Sequence, residues 1–193
     1  MENEQNLVTR ILAGDQESFA ELVEVYQRSV YNLTYRMLGD AREAEDAAQE
    51  AFLRAYQHLD RYDADRPFKT WLLSIASNYC IDRLRKRRLT WLSIEEPLPP
   101  HPALSSSEIE PEDAVSNGER YTAVQAMLSE LAPEYRAAVV FRYWYDMSYA
   151  EIAKMLDTTE SAIKSRLFRA RQMMADSLRS ESHPSLIVAV EGT

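Results

Sequence analysis

The chain of 193 residues is 46% hydrophobic and 27% charged, with four Gly and one Cys, a balance that fits one or two small globular domains and excludes a disordered or collagen-like polymer. Gly14, Gly39, Gly118 and Gly192 are too dispersed for a phosphate-cradling loop or dinucleotide turn, Cys80 has no disulfide partner, and His58, His101 and His183 lack metal-ligand spacing, so no cofactor or metal is expected. Lys+Arg 22 against Asp+Glu 31 gives a net charge of -9, which as a whole argues against a nucleic-acid partner.

The start, MENEQNLVTR, lacks a basic segment followed by an apolar run, and no stretch approaches the ~20 apolar residues that span a bilayer, so a cytoplasmic protein without membrane insertion is expected. Residues 1–18 carry a net charge of -3. A helix is expected over roughly 17–38, with Phe19, Leu22, Val23, Tyr26, Val30, Leu33 and Met37 as its apolar stripe. Gly39 suits its C-terminus, and Asp40 with Glu43 makes a capping box for a second helix from about 41. There Ala44, Ala48, Ala51, Phe52, Ala55 and Leu59 form the buried stripe, leaving Asp46, Gln49, Glu50 and Leu53 on or beside the other face. Taken alone, that carboxylate-rich face reads as a solvated one.

A third helix, from about Lys69 through Arg87, has Trp71, Leu72, Ile75, Ala76, Tyr79 and Leu84 as candidate core, with Cys80 as a small buried residue. Its end bunches Arg83, Arg85, Lys86, Arg87 and Arg88. From Leu89 to Gly118 the chain turns Pro- and Ser-rich, with six acids and no base, the composition of a flexible linker. Beyond it short helices resume, and Leu131, Tyr135, Ala138, Val139 and Tyr143 keep a helical stripe through a β-branched stretch. Ser148 and Glu151 form a capping box for a helix Tyr149 to Leu156; a turn Asp157 to Thr159 follows, then a helix from Glu160 to about Leu178. This is the layout of a helix-turn-helix, with Ala153 at the close approach and Ile152, Leu156, Ile163 and Leu167 as the holding contacts. Lys164, Arg166, Arg169 and Arg171 then form a second basic run, and each half of the chain, 19–88 and 119–179, sits near +1. One such run is as readily a solvated helix face; two, one per domain, favour DNA.

These residues resemble a family. SYAEIAKMLDTTESAIKSRLFRARQMM, preceded by LAPEYRAAVVFRYWYDM, is similar to the promoter-recognising region 4 of bacterial RNA polymerase sigma factors of the sigma-70 family, extracytoplasmic-function group. DAAQEAFLRAYQHLDRY and FKTWLLSIASNYCIDRLRKRR resemble region 2 of the same family. Asp157 and Ser161 stand where the family usually has glycines, and Thr159 where it has a turn proline, substitutions that turn and cap geometry tolerates.

The resemblance implies an all-α protein of two small helical domains, 1–88 as region 2 and 119–179 as region 4, joined by the acidic linker 89–118, with a tail 180–193 of no assigned role. It implies a sigma factor, not an enzyme, that binds core RNA polymerase and directs promoter recognition and DNA melting. Asp46, Gln49, Glu50 and Leu53 match the polymerase-binding surface. Arg61, Tyr62, Phe68, Lys69, Trp71, Asn78, Arg83, Arg85, Lys86 and Arg87 match the -10 surface, where aromatics stack on unpaired bases and cations track the backbone. Trp71 reads equally as core, and the Asn78 amide as a bond to a neighbouring loop. Ser161, Lys164, Ser165, Arg166, Arg169 and Arg171 match the -35 reader, with an anti-sigma protein as a further candidate partner. Two rivals remain open: a one-component helix-turn-helix regulator whose first domain senses or dimerises, and a helical adapter that binds protein only.

Overall fold

The computed structural model describes residues 2–63, 66–93 and 114–180. Among them are eight α-helices and one 3-10 turn, and no strand, as expected of an all-α chain. Most of the expected linker and nearly all of the tail, residues 94–113 and 181–193, lie outside the described residues.

The first helix, α1 (Glu2–Leu12), is not among the elements expected from the sequence. It buries Leu7, Val8 and Ile11 and ends at Gly14, whose φ of +100° suits a residue without Cβ. The Gly14 N–H bonds Ile11 O at 2.9 Å and the Asp15 N–H bonds Arg10 O at 3.0 Å, a Schellman end. Asp15 then caps α2 (Gln16–Leu38) by accepting from the Glu17 and Ser18 N–H groups, while Arg10 pairs with its other oxygen at 2.7 Å. Leu22, Tyr26, Val30, Leu33 and Met37 are buried as the stripe requires, with Phe19 and Val23 half-buried. Full burial of each aliphatic side chain contributes roughly 1.5–3 kcal/mol. Gly39 closes α2 in the left-handed region.

Asp40 caps α3 (Ala41–Gln57) by accepting from the Glu43 N–H at 2.8 Å. The reciprocal half of the expected box does not form: the Glu43 carboxylate is turned towards Arg87 and Arg83 of the next long helix, which pair with its Oε1. The buried Thr34 hydroxyl donates to Ala44 O at 2.8 Å and ties α2 to α3. A 3-10 turn, Leu59–Arg61, leads to α4 (Phe68–Ser93), which continues past Arg87 into the stretch expected as linker. Helices α2, α3 and α4 pack together as one bundle, with α1 laid on α2 and on the 3-10 turn.

The second body begins within the expected linker too, with α5 (Ala114–Glu130). Pro133 opens α6 (Pro133–Trp144), where its missing N–H costs nothing. Ala137 to Phe141 are buried, but Tyr143, expected in the apolar stripe, is 57% exposed. The short α7 (Tyr149–Met155) starts with the complete Ser148–Glu151 capping box, and α8 (Glu160–Ser180) follows a tight turn. Asp157 in that turn has φ +46°, so it does adopt the left-handed backbone that a glycine would take most easily. Thr159 caps α8, its hydroxyl accepting from the Ala162 N–H at 3.1 Å.

The two bodies pack on each other, α6 against α2 and α4, and α5 against α2. Arg136, 5% exposed, donates to Met37 O across this boundary and to Ser129 O (2.7 Å) and Leu131 O (3.4 Å) within its own body. Burial pulls its pKa down to about 10, with the Arg87 charge adding to the effect. The Tyr145 hydroxyl donates to Ser29 O at 2.5 Å, Gln125 donates to Arg36 O at 3.2 Å, and the Arg36 guanidinium lies 4.8 Å from the centre of the Trp144 ring.

Candidate nucleic-acid interface

Ala44, Ala47, Ala48, Ala51 and Ala55, with Phe52 as the one large side chain among them, bring α3 close to α2 and α4 and turn its other face outward. Asp46 and Gln49 are exposed there, and Leu53 is 51% exposed, an apolar side chain in an otherwise polar strip. Glu50 is half-buried and pairs with Arg54 at 2.7 Å. The strip thus sets one exposed apolar side chain, Leu53, among carboxylates and an amide.

Between the 3-10 turn and α4 an aromatic group assembles. Phe68 is fully buried, with the Tyr62, Trp71 and Tyr26 ring centres at 5.4, 5.6 and 5.7 Å from its own. Tyr62 and Trp71 are half-buried, 5.3 Å apart, and the Tyr62 hydroxyl donates to Arg66 O. Phe68, expected on the -10 surface, thus lies beneath Tyr62 and Trp71 with no exposed surface of its own. Trp71 joins the two readings left open: one side is core and the other faces outward. Arg61, Arg66, Lys69 and Asn78 are exposed, and the Lys69 ammonium sits 5.7 Å from the centre of the Tyr145 ring.

The basic run at the end of α4 is less available than its sequence suggests. Arg83 and Arg87 both pair with Glu43, and Arg85 pairs with Glu134 of α6 at 2.8 Å. Burial raises the Glu134 pKa, but its hydrogen bonds and the Arg85 and Arg166 charges bring it net below the usual glutamate value. Lys86 and Arg88 are exposed. Cys80, fully buried beneath this segment, has its thiol pushed up to about 12 by burial and is no nucleophile.

In α8, Ile163, Leu167 and Ala170 are buried against α6 and α7, which fixes the opposite face outward. Ser161, Lys164, Ser165, Arg169 and Arg171 are exposed and Arg166 is half-buried. The Arg169 guanidinium donates to the Tyr135 hydroxyl at 3.3 Å, and the Lys164 ammonium lies 6.0 Å from the Tyr149 ring centre. Arg85, Glu134, Tyr135, Ser165, Arg166 and Arg169 line a common cleft of about 380 Å³. Sequence reasoning did not single out Glu134, Arg136 or Tyr145, the residues that join the bodies; their partners are an ion 49 positions away and backbone carbonyls, neither of which leaves a local pattern.

Residues 22–90 match the family model of Sigma-70 region 2, and residues 121–174 that of Sigma-70, region 4. The ECF RNA polymerase sigma factor SigW of Bacillus subtilis is 38% identical over 177 residues, covering 89% of this chain and 95% of that protein. The RNA polymerase sigma-H factor of Pseudomonas aeruginosa is 32% identical over 193 residues, 92% and 95% of the two chains. Among solved structures, CnrH in complex with the cytosolic domain of CnrY has a TM-score of 0.66 at 24% identity, covering 92% and 98%. The sigma factor RpoE from Bartonella quintana, solved with the anti-sigma factor NepR, has a TM-score of 0.61 at 21% identity, covering 84% and 98%. These two similarities are similarities of fold.

Proposed function

The chain belongs to the extracytoplasmic-function sigma factors of the sigma-70 family, and from that membership we propose that its two helical bodies divide promoter recognition as their motifs suggest. The chain is a sigma factor: it binds core RNA polymerase and directs promoter recognition in transcription initiation, without being an enzyme. Polymerase supplies the bond-making chemistry.

In this reading residues 1–88 form the region 2 domain, 89–118 the linker and 119–179 the region 4 domain. The α3 strip Asp46, Gln49, Glu50 and Leu53 binds polymerase. Tyr62 and Trp71, over Phe68, take an unpaired -10 base, with Arg61, Lys69 and Asn78 at the rim and Arg83, Arg85, Lys86 and Arg87 along the backbone. Ser161, Lys164, Ser165, Arg166, Arg169 and Arg171 read the -35 duplex. Energy from holding duplex and unpaired bases offsets the cost of melting. The place of action is the cytoplasm, and no helix among the described residues is long and apolar enough to cross a membrane. An anti-sigma protein belongs to the reading as a partner class, as RpoE of Bartonella quintana was solved with one.

The observation that carries the reading is α8, whose apolar side is buried while Ser161, Lys164, Ser165, Arg169 and Arg171 are exposed and Arg166 half-exposed in the second position of a helix-turn-helix. Transcription of a genomic library by purified core polymerase tests it: adding the chain should yield new, defined start sites, and Arg166→Ala or Arg169→Ala should lose or shift them. Tight, specific binding of a palindromic duplex by the chain without polymerase would instead establish a one-component regulator.

A further inference from the structure

Helix α1 lies outside both matched regions, yet it reaches the group assigned to the unpaired base. Its Glu4 carboxylate accepts a hydrogen bond from the Tyr26 hydroxyl, 22 residues away on α2. Tyr26 is 8% exposed, and its ring lies 5.7 Å from that of Phe68, on which Tyr62 and Trp71 rest. Leu7, Val8 and Ile11 hold α1 on α2, and α1 also packs on the 3-10 turn Leu59–Arg61 from which the Tyr62 loop leaves. Glu4 also stands close enough to Tyr62 for its charge to act, after burial, to raise that hydroxyl's pKa. The α1 helix therefore holds the platform at two places: below, through Tyr26 and Phe68, and at the side, through the turn that launches Tyr62.

We infer that α1 is a positioning element for capture of the unpaired base, with Glu4 as its positioning residue acting through Tyr26. The inference rests on the reading of Tyr62 and Trp71 as the stacking surface. Rings stacked on a base must be held at a fixed tilt and spacing, and a misplaced aromatic support loses stacking without unfolding the bundle. Helix α1 makes no comparable contact with α8, so the -35 reader should not feel it.

Holoenzyme reconstituted from the full chain and core polymerase is titrated with a single-stranded -10 oligonucleotide, taken from a promoter it transcribes, carrying 2-aminopurine at the captured position. The same holoenzymes are titrated with the -35 duplex, and the free chains are melted thermally. Glu4→Ala and Tyr26→Phe should each weaken capture by roughly three- to tenfold, the double variant no further, since both remove one hydrogen bond. Glu4→Gln, which keeps an acceptor oxygen, should restore capture to within about twofold of the unaltered chain. Fluorescence quenching of the captured base should fall with affinity, while -35 binding stays unchanged and melting falls by only the few degrees that one lost hydrogen bond costs, leaving the chain folded at the assay temperature. If Trp71→Ala and Tyr62→Ala abolish capture but Glu4→Ala and Tyr26→Phe leave it intact, or if losses extend equally to the -35 duplex, α1 is only a piece of core and the inference fails. If Trp71→Ala and Tyr62→Ala also leave capture intact, the stacking assignment itself is wrong.

Discussion

Replacing Arg136 by Met tests the joint between the two bodies. The side chain is 5% exposed and donates to three carbonyls, those of Met37, Ser129 and Leu131. A hydrogen bond to a charged group contributes about 1.5–3 kcal/mol net, and counting the Met37 and Ser129 carbonyls while leaving out the long contact to Leu131 O sets a gross loss of about 3–6 kcal/mol. Against this, Met removes a buried charge whose environment already lowers its pKa to about 10, and an Nε atom that has no partner. Relief of that desolvation returns part of the loss, leaving a destabilisation of about 2–4 kcal/mol. Urea titration followed by circular dichroism reads the total, and in a background with Trp71→Phe and Trp91→Phe the fluorescence of Trp144, packed under Arg36 at the boundary, reports separation of the bodies. Arg136→Lys should fall between, since one ammonium cannot span three acceptors in the guanidinium's geometry. A loss below about 1 kcal/mol for Arg136→Met, with Trp144 unchanged, would refute the assignment of Arg136 as the joint.

Gln49→Ala with Glu50→Ala should weaken core-polymerase binding in a pull-down while circular dichroism stays native; the half-exposed Glu50–Arg54 pair is worth under about 1 kcal/mol to the fold. Arg166→Ala and Arg169→Ala should reduce promoter binding by the holoenzyme by roughly 1–3 kcal/mol each, and a panel of -35 variants separates a lost base contact, which relaxes one position, from a lost phosphate contact, which weakens all alike. At Asp157, with φ +46°, Val should destabilise the second body by about 1–2 kcal/mol while Gly leaves it unchanged or slightly firmer, read by thermal melting. The Ser148 hydroxyl and N–H hold the Glu151 pKa below its usual value, so their contribution is present above the ordinary glutamate pKa and is lost as pH falls through the folded one. Melting of the chain between about pH 6 and about pH 3, a window that brackets the ordinary glutamate range, should show this loss, and Glu151→Gln should remove that part of the slope.

What the sequence discloses here is what local chemistry writes. Asp40, Ser148 and the glycine at 39 mark helix ends because caps act within a few residues, and the stripes of α2, α3 and α8 repeat because each packs one face. Helix α1 carried the same kinds of marks, the Leu7, Val8, Ile11 spacing and the Gly14–Asp15 stop and start, but its acidic charge draws attention from them. The residues of the candidate surfaces are legible from motif; their state is not. Nothing near Arg83 or Arg87 in the chain announces that both pair with Glu43, and nothing near Phe68 says that it lies beneath Tyr62 and Trp71. Such facts depend on how helices cross, which is decided by summed packing over residues far apart in sequence.

The cleft shared by Arg85, Glu134, Arg166 and Arg169 has a consequence for affinity. The -10 and -35 elements are separated by about 25 base pairs, some 85 Å of duplex at about 3.4 Å per step. If the two surfaces proposed above are the readers, a chain with its bodies packed on each other as in this structure would not span that length, and only the undocked fraction would compete for a promoter. The observed dissociation constant is then the intrinsic one divided by that fraction, and each 1.4 kcal/mol of docking free energy costs a factor of about ten. Polymerase that holds the bodies apart removes that penalty at once. Output from the promoter is thereby set partly by Glu134 and Arg136, which stand on neither proposed DNA surface and would act as a gain control on transcription.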